Sequence, residues 1–329
     1  MSNPSVTPTR ATTSRRWRDI AIIGGLLGLF LVGLAGLAAA TGWEETLHQL
    51  GKLSWGQVAA LLALSLVNYL FRSARWHLFA RTLGLPTGLL QDVRHFLGGF
   101  AMTVTPGRVG ELIRMRWLKR ETGWNVERTA PLVLVDRASD LAAMGMILAL
   151  ALALSTAGIT GAAPVVLLAL IAAWIATRPR LLAASVTLAY RTTGRWPRAF
   201  GRVRQSARSL KQFSRAIVVT PAMALGAVGW IAEGYAFYLL LGWMGAEIPF
   251  WNAVAVFVFS TLAGGLTGAP GGVGGAEAAM IALLKLQGVP LEISVPATAV
   301  IRLTTLWFAI LIGLAIFPLA ERHSKKACP

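Results

Sequence analysis

A single cysteine, Cys328, next to the last residue, excludes an intrachain disulfide. Histidine is scarce too: His48, His77, His95 and His323 are scattered, and neither an HExxH motif nor a Cys/His cluster occurs. That leaves no local set of ligands for a metal ion, so no metal and no other cofactor is expected. Acid is the third scarcity, with 14 Asp and Glu against 31 Lys and Arg and a formal net charge of +17. Such a balance invites nucleic acid as a partner. The basic residues, however, fall in the connections between apolar runs rather than on one soluble face, which is the positive-inside pattern of membrane proteins and speaks against nucleic acid. Soluble chain is itself in short supply: no polar segment exceeds about forty residues, too few for an independent catalytic domain.

What the chain has in quantity is apolar sequence, 55% of its 329 residues, with a mean hydropathy of +0.62. Several apolar runs approach or exceed the roughly 20 residues that cross a bilayer as helix. The stretch "IAIIGGLLGLFLVGLAGLAAA", residues 20 to 40, is apolar at every period, whereas a β-barrel strand would alternate. Although "RRWRD" precedes it, its apolar core is longer than the h-region of a signal peptide, about 7 to 15 residues, and it reads as a retained transmembrane helix. The expected fold is an all-α polytopic membrane protein.

The basic connections orient the crossings. With "RRWR" inside, residues 20 to 40 run outward, 57 to 79 inward toward Arg72, Arg75 and Arg81, and 130 to 155 outward; 162 to 177 return, 217 to 242 leave, and 293 to 318 come back. Six crossings place both termini in the cytoplasm, in what reads as a bacterial inner membrane. Between Arg178 and Arg215 stand ten Arg or Lys and no acid. That loop fixes topology and can also attract anionic headgroups. Two apolar segments remain, 93 to 120 and 252 to 287, each interrupted near its middle by Pro and Gly. Both ends of the first look cytoplasmic and both ends of the second external, so they read as two re-entrant helical hairpins entering from opposite faces.

The interrupted segments also resemble each other. "GWNVERTAPLVLVDR" from Gly123 aligns without a gap to "GVPLEISVPATAVIR" from Gly288, pairing Glu127 with Glu292, Pro131 with Pro296 and Arg137 with Arg302. Upstream, "TPGRVGE" answers "APGGVGGAE", so Glu111 corresponds to Glu277. The domain plan is a tail (1–19), a first transmembrane helix and external loop (20–56), a first repeat unit (57–155), a linking helix and basic loop (156–216), a second unit (217–318) and a tail (319–329). Because the units start on opposite sides they are inverted repeats, an arrangement that puts broken helices around a midplane site. Half-helix N-termini there favour an anion.

Arg137 and Arg302 stand in apolar helices, each costing a few kcal/mol unless paired, hydrated or snorkelling. Asp136 and Asp140 accompany the first, and a structural ion pair and a polar chamber for a headgroup are equally open readings. Arg108, at the presumed tip of the first loop, offers a guanidinium suited to phosphate, beside the backbone of Gly107 and Gly110. The second loop offers only backbone, at Gly271, Gly272 and Gly274. Glu111 and Glu277 could be first-turn acids favouring the helix dipole, or could anchor and switch those cations. Asn68, Arg72, Arg114 and Glu233 are second-tier polar groups at membrane depth. "PGGVGG" is no nucleotide loop, since no Lys-Ser/Thr follows. Gly24 and Gly28 form a GxxxG, too common in membrane helices to specify a homodimer.

"TPGRVGELIR" with "VDRASDL", then "PGGVGGAEAAMIALL" with "VIRLTTL", resembles the transmembrane region of lysylphosphatidylglycerol synthases, the flippase-like membrane proteins. The resemblance covers roughly 57 to 318. In the multiple peptide resistance factors of that family, a lipid-flipping membrane domain is joined to a cytoplasmic synthase. The resemblance therefore implies the translocating half, a flippase of a phospholipid or lipid-linked headgroup, with membrane lipids and lipid-biosynthesis enzymes as partners and no enzyme activity of its own. Two alternatives stand beside it: a membrane-embedded lipid-modifying transferase, and a secondary transporter of a small anionic solute.

Overall fold

The computed structural model of the chain describes residues 51–103, 105, 109–154, 213 and 215–327, with isolated positions at 28, 32, 44, 48, 167 and 171. Among the described residues every regular element is helical. Helix α1, Trp55–Leu83, opens on a reciprocal cap. The Ser54 hydroxyl accepts from the Gln57 N–H at 3.3 Å, and the Gln57 side chain accepts from the Ser54 N–H at 2.8 Å. Then come α2 (Leu89–Gly98), a 3₁₀ turn (Gly99–Met102), α3 (Val109–Thr122) and α4 (Val126–Leu154). The second half repeats the order with α5 (Ala216–Trp243), α6 (Phe250–Leu266), a 3₁₀ turn (Pro270–Gly272), α7 (Gly275–Leu286) and α8 (Leu291–Arg302). Helix α8 continues through a π-helical turn (Leu303–Trp307) into α9 (Phe308–Lys326).

Helices α1, α4, α5 and the continuous Leu291–Lys326 segment are long and apolar enough to cross a membrane, and the protein is an all-α polytopic membrane protein. They match four of the expected crossings. Apart from those isolated positions, the other two, at 20–40 and 162–177, and the basic loop lie outside the described residues, as do the Gly24 end of the GxxxG and Cys328.

The halves keep a common register. The long first helix of each ends on a glycine with positive φ, Gly84 at 83° and Gly245 at 86°, and the helix after each break ends on Gly123 at 73° and Gly288 at 82°. A side chain at such a φ is strained, so these glycines stop the helices at equivalent places. Packing then exchanges the halves. Helix α1 lies along α5, α2 packs against α9 of the other half, and α6 packs against α4. At the α1–α5 crossing Gly229 meets Asn68, whose Cα would lie 3.3 Å from a Cβ at Gly229.

Apolar side chains divide between the interior and the outer surface. Phe237, Leu240, Phe257, Met280 and Val300 pack one core, and Trp76, Phe79, Phe96, Leu118 and Leu132 another. Leu66, Leu70, Leu150, Ile217 and Leu311 face outward. Arg75, Asp136, Asp140, Glu233, Glu277 and Arg302 are all buried. Charge inside and leucine outside is what a lipid solvent selects.

Candidate functional site

The second break builds a compact unit around Arg302, on the last turn of α8. Its Nε donates to Glu277 Oε1 at 2.5 Å and its Nη2 to the Gly271 carbonyl at 2.8 Å. Glu277, in the first turn of α7, turns its other oxygen back to accept the Gly274 N–H at 2.6 Å. The acid thus caps its own half-helix and holds the arginine. The Gly272 N–H donates to the Ala269 carbonyl at 2.9 Å. The N–H groups of Gly272 and Gly274, expected to face an anion, are therefore engaged within the loop. The guanidinium Nη1 of Arg302 takes part in neither bond.

The loop is tight because its glycines meet α6. A Cβ on Gly264 would lie 2.6 Å from the Ala276 side chain, and one on Gly272 would lie 3.0 Å from the Gly264 backbone. Such contact requires glycine on both sides of the break.

The first half assembles a larger cluster on α1 and α4. Arg75, fully buried, donates from Nη2 to Asp136 at 2.6 Å and to Asp140 at 2.8 Å, and from Nε to Asp136 at 3.1 Å. Arg72 donates to the other Asp140 oxygen at 2.7 Å. Arg137 approaches Asp140 at 3.5 Å and Asp136 at 3.9 Å, with about a third of its side chain exposed. Among the described residues Arg72, Arg75 and Arg137 thus converge on Asp136 and Asp140. Glu233, buried on α5 at the same depth into its helix as Arg72 on α1, lies within electrostatic reach of both Arg72 and Arg302.

Two hydrogen bonds tie the halves at equivalent points. The Tyr69 hydroxyl donates to the Thr305 carbonyl, and Trp230 Nε1 donates to Asp140 at 3.3 Å. Tyr69 stands as far into α1 as Trp230 into α5, and Thr305 as far past the start of α8 as Asp140 past that of α4. Between them Asn68 is wholly buried, and neither side-chain polar atom finds a hydrogen-bond partner among the described residues.

Arg114 is placed differently from its neighbours. It is buried over the rings of Phe96, at 4.2 Å, Trp76 and Phe100, and backed by Gly99, where a Cβ would lie 2.3 Å from its Nε. Aromatic faces compensate its charge. Gly110 serves close packing, since a Cβ there would meet the Gly99 carbonyl oxygen at 2.5 Å. Pro106, Gly107 and Arg108 lie outside the described residues, as does the side chain of Glu111, whose backbone is in the first turn of α3.

The structure thus joins Arg302 with Glu277, and Arg72 and Arg137 with Asp136 and Asp140. It adds Arg75, which had read as a flanking basic residue at the end of a crossing. The spacing held a hint: Arg72 and Arg75 share a helix face, as do Asp136 and Asp140. Tyr69 and Trp230 gave no such hint, because tyrosine and tryptophan in apolar helices are ordinary.

Compared with known families, residues 21–313 match the model described as the lysylphosphatidylglycerol synthase TM region. The chain belongs to this family. Among curated proteins, two matches are each described as a UPF0104 membrane protein of Methanothermobacter thermautotrophicus. One is 34% identical over 89 residues, 27% of this chain and 26% of that protein. The other is 31% identical over 93 residues, 28% of each chain. The aligned part thus spans about a quarter of each relative's length. The family match concerns the membrane region, the part that carries Asp136, Asp140, Glu277 and Arg302.

Proposed function

We propose that this family member is a lipid translocase of a bacterial inner membrane, with both termini cytoplasmic. It moves a phospholipid or lipid-linked headgroup between leaflets through the chamber lined by the two charged clusters. The observation that carries the reading is the concentration of buried ionised groups contributed by both halves: Arg72 and Arg75 against Asp136 and Asp140 on α1 and α4, and the Arg302–Glu277 pair, with Glu233 in electrostatic reach of Arg72 and Arg302. Ionisable groups at membrane depth are costly and mark substrate pathways by default, and guanidinium is suited to a phosphate headgroup. Arg137 and Arg302 line the chamber, and Arg108, with the backbone of Gly107 and Gly271, binds the headgroup. Asp136, Asp140, Glu277 and Glu111 neutralise those cations between cycles. Membrane lipids are the partners, supplied or consumed by lipid-biosynthesis enzymes.

The test is leaflet-resolved transport in proteoliposomes over a set of anionic and lipid-linked headgroups, comparing the parent with Arg137→Gln and Arg108→Ala. Transport by the parent and its loss in Arg137→Gln support the reading. Uptake of a soluble phosphate analogue without lipid movement favours the solute transporter, and a mass change in the lipid favours the transferase. If Arg137→Gln and Arg108→Ala both move lipid at the parental rate, the assigned site is wrong.

A further inference from the structure

A second charged place lies away from the midplane clusters, where the C-terminal turns of α3 and α9 meet. A groove of about 620 Å³ there is lined by Arg116, Lys119 and Arg120 of α3 and Ala327 beyond α9. Glu321 of α9 accepts from Arg116 at 2.6 Å, from Arg120 at 2.8 Å and from Trp117 Nε1 at 2.8 Å, while Lys325 approaches it at 3.5 Å. Glu121, also lining the groove, is already engaged by Arg94 and His95. Among the described residues Glu321 thus faces Arg116, Arg120 and Lys325, and Lys119 stands exposed beside them.

The same face of α3 turns apolar below the groove. Leu112, Arg116 and Lys119 follow one helical stripe, and Leu112 is 57% exposed. A basic rim above an exposed aliphatic side chain matches one ligand shape, an anionic headgroup with acyl chain beneath it. The other half has no such rim. Counted from the paired acids Glu111 and Glu277, α7 places Ala282, Lys285 and Leu286 where α3 places Arg116, Lys119 and Arg120.

We infer that the α3–α9 groove is a binding site for a resident anionic phospholipid, phosphate against Arg116, Lys119 and Arg120 and acyl chain along Leu112. The site is separate from the chamber that passes headgroups, and the inference stands whether or not the chain translocates lipid. Its role is to seat the paired ends of α3 and α9 at one leaflet surface, where basic residues draw anionic lipid.

The experiment titrates the purified full chain with phosphatidylglycerol or phosphatidylcholine and reads bound lipid by native mass spectrometry, with inorganic phosphate as a competitor in a further arm. Lys119, exposed and outside the Glu321 contacts, is the residue to change. The expected result is phosphatidylglycerol binding about fivefold weaker in Lys119→Gln, restored in Lys119→Arg and unchanged in Lys285→Gln, with phosphatidylcholine binding indifferent to all three. The inference is overturned if Lys119→Gln binds phosphatidylglycerol like the parent, or if Lys285→Gln loses as much, which would mark an unspecific lipid annulus. It is equally overturned if millimolar phosphate displaces the lipid, which would make this a site for the free ion. A dead transport assay leaves all these outcomes untouched.

Discussion

Replacing Arg302 with methionine separates a structural ion pair from a working chamber. The Arg302 and Glu277 side chains are 7% and 4% exposed and meet at 2.5 Å. Without the guanidinium, Glu277 keeps only the Gly274 N–H, and the Gly271 carbonyl loses its donor. Removing one partner of a buried pair costs about 3–5 kcal/mol, because the other charge stays buried and uncompensated. In a chain of this size each kcal/mol lowers the melting temperature by about 2 °C, so Arg302→Met falls on the order of 6 to 10 °C. Glu277→Gln retains an acceptor for Gly274. The double variant Arg302→Met/Glu277→Gln therefore recovers more than half of the loss. Intrinsic tryptophan fluorescence of the purified full chain in detergent follows the melt. Refutation is either a single variant melting within about 1 °C of the parent, or a double variant falling by the sum of the singles, which would mean the two side chains are not coupled. Lipid transport measured on the double variant then decides the role. Recovery of stability without recovery of transport is expected of a headgroup ligand, whereas a purely structural pair regains both.

Asn68→Leu, of nearly equal size, removes a buried amide whose polar atoms have no partner among the described residues. We expect a gain of about 1–3 kcal/mol in denaturation, with slower transport if that amide serves another conformation at the α1–α5 crossing. Gly313→Ala places a Cβ 2.2 Å from the Ala101 nitrogen, and because backbone cannot swing aside, thermal melting should show a loss of about 1–3 kcal/mol. Burial alone would raise the Glu121 carboxyl, but His95, with Gln91 and Arg94, brings it below the usual value. A depressed folded-state pKa gives stability that is fully present above the unfolded value, about 4.3, and is lost as pH falls through the folded one. Melting temperature against pH should therefore fall less steeply on the acid side in Glu121→Gln than in the parent.

Helix positions and breaks were legible in the chain because the bilayer demands long apolar runs, and a Pro-Gly pair inside one has few other uses. The Pro131/Pro296 and Arg137/Arg302 alignment marked the later part of the repeat by identity alone. Its earlier part was legible only in the comparable depth of Arg72 and Glu233. Asn68 answers Gly229, and Tyr69 answers Trp230 in register, with no residue type in common. There the repeat is kept by backbone, through Gly84 and Gly245 at the same positive φ. Arg75 was misread for a related reason. A basic residue near the end of an apolar run reads as an interfacial flank until something opposes it, and what opposes it, Asp136 and Asp140, lies on α4 more than sixty residues away.

By itself the sequence determined that this is a helical membrane protein with two broken helices, Arg302 in an apolar helix and an acid at the start of each half-helix after a break. Those features follow from local demands: burial of backbone in lipid, the freedom of glycine, the cost of a lone charge. Which charges face one another was decided by tertiary structure alone. The packing of α1 on α4, of α5 on α4 and of α3 on α9 set Arg75 against Asp136, Trp230 against Asp140 and Arg120 against Glu321. Pairing is a property of distance in space, and a chain records only distance along itself.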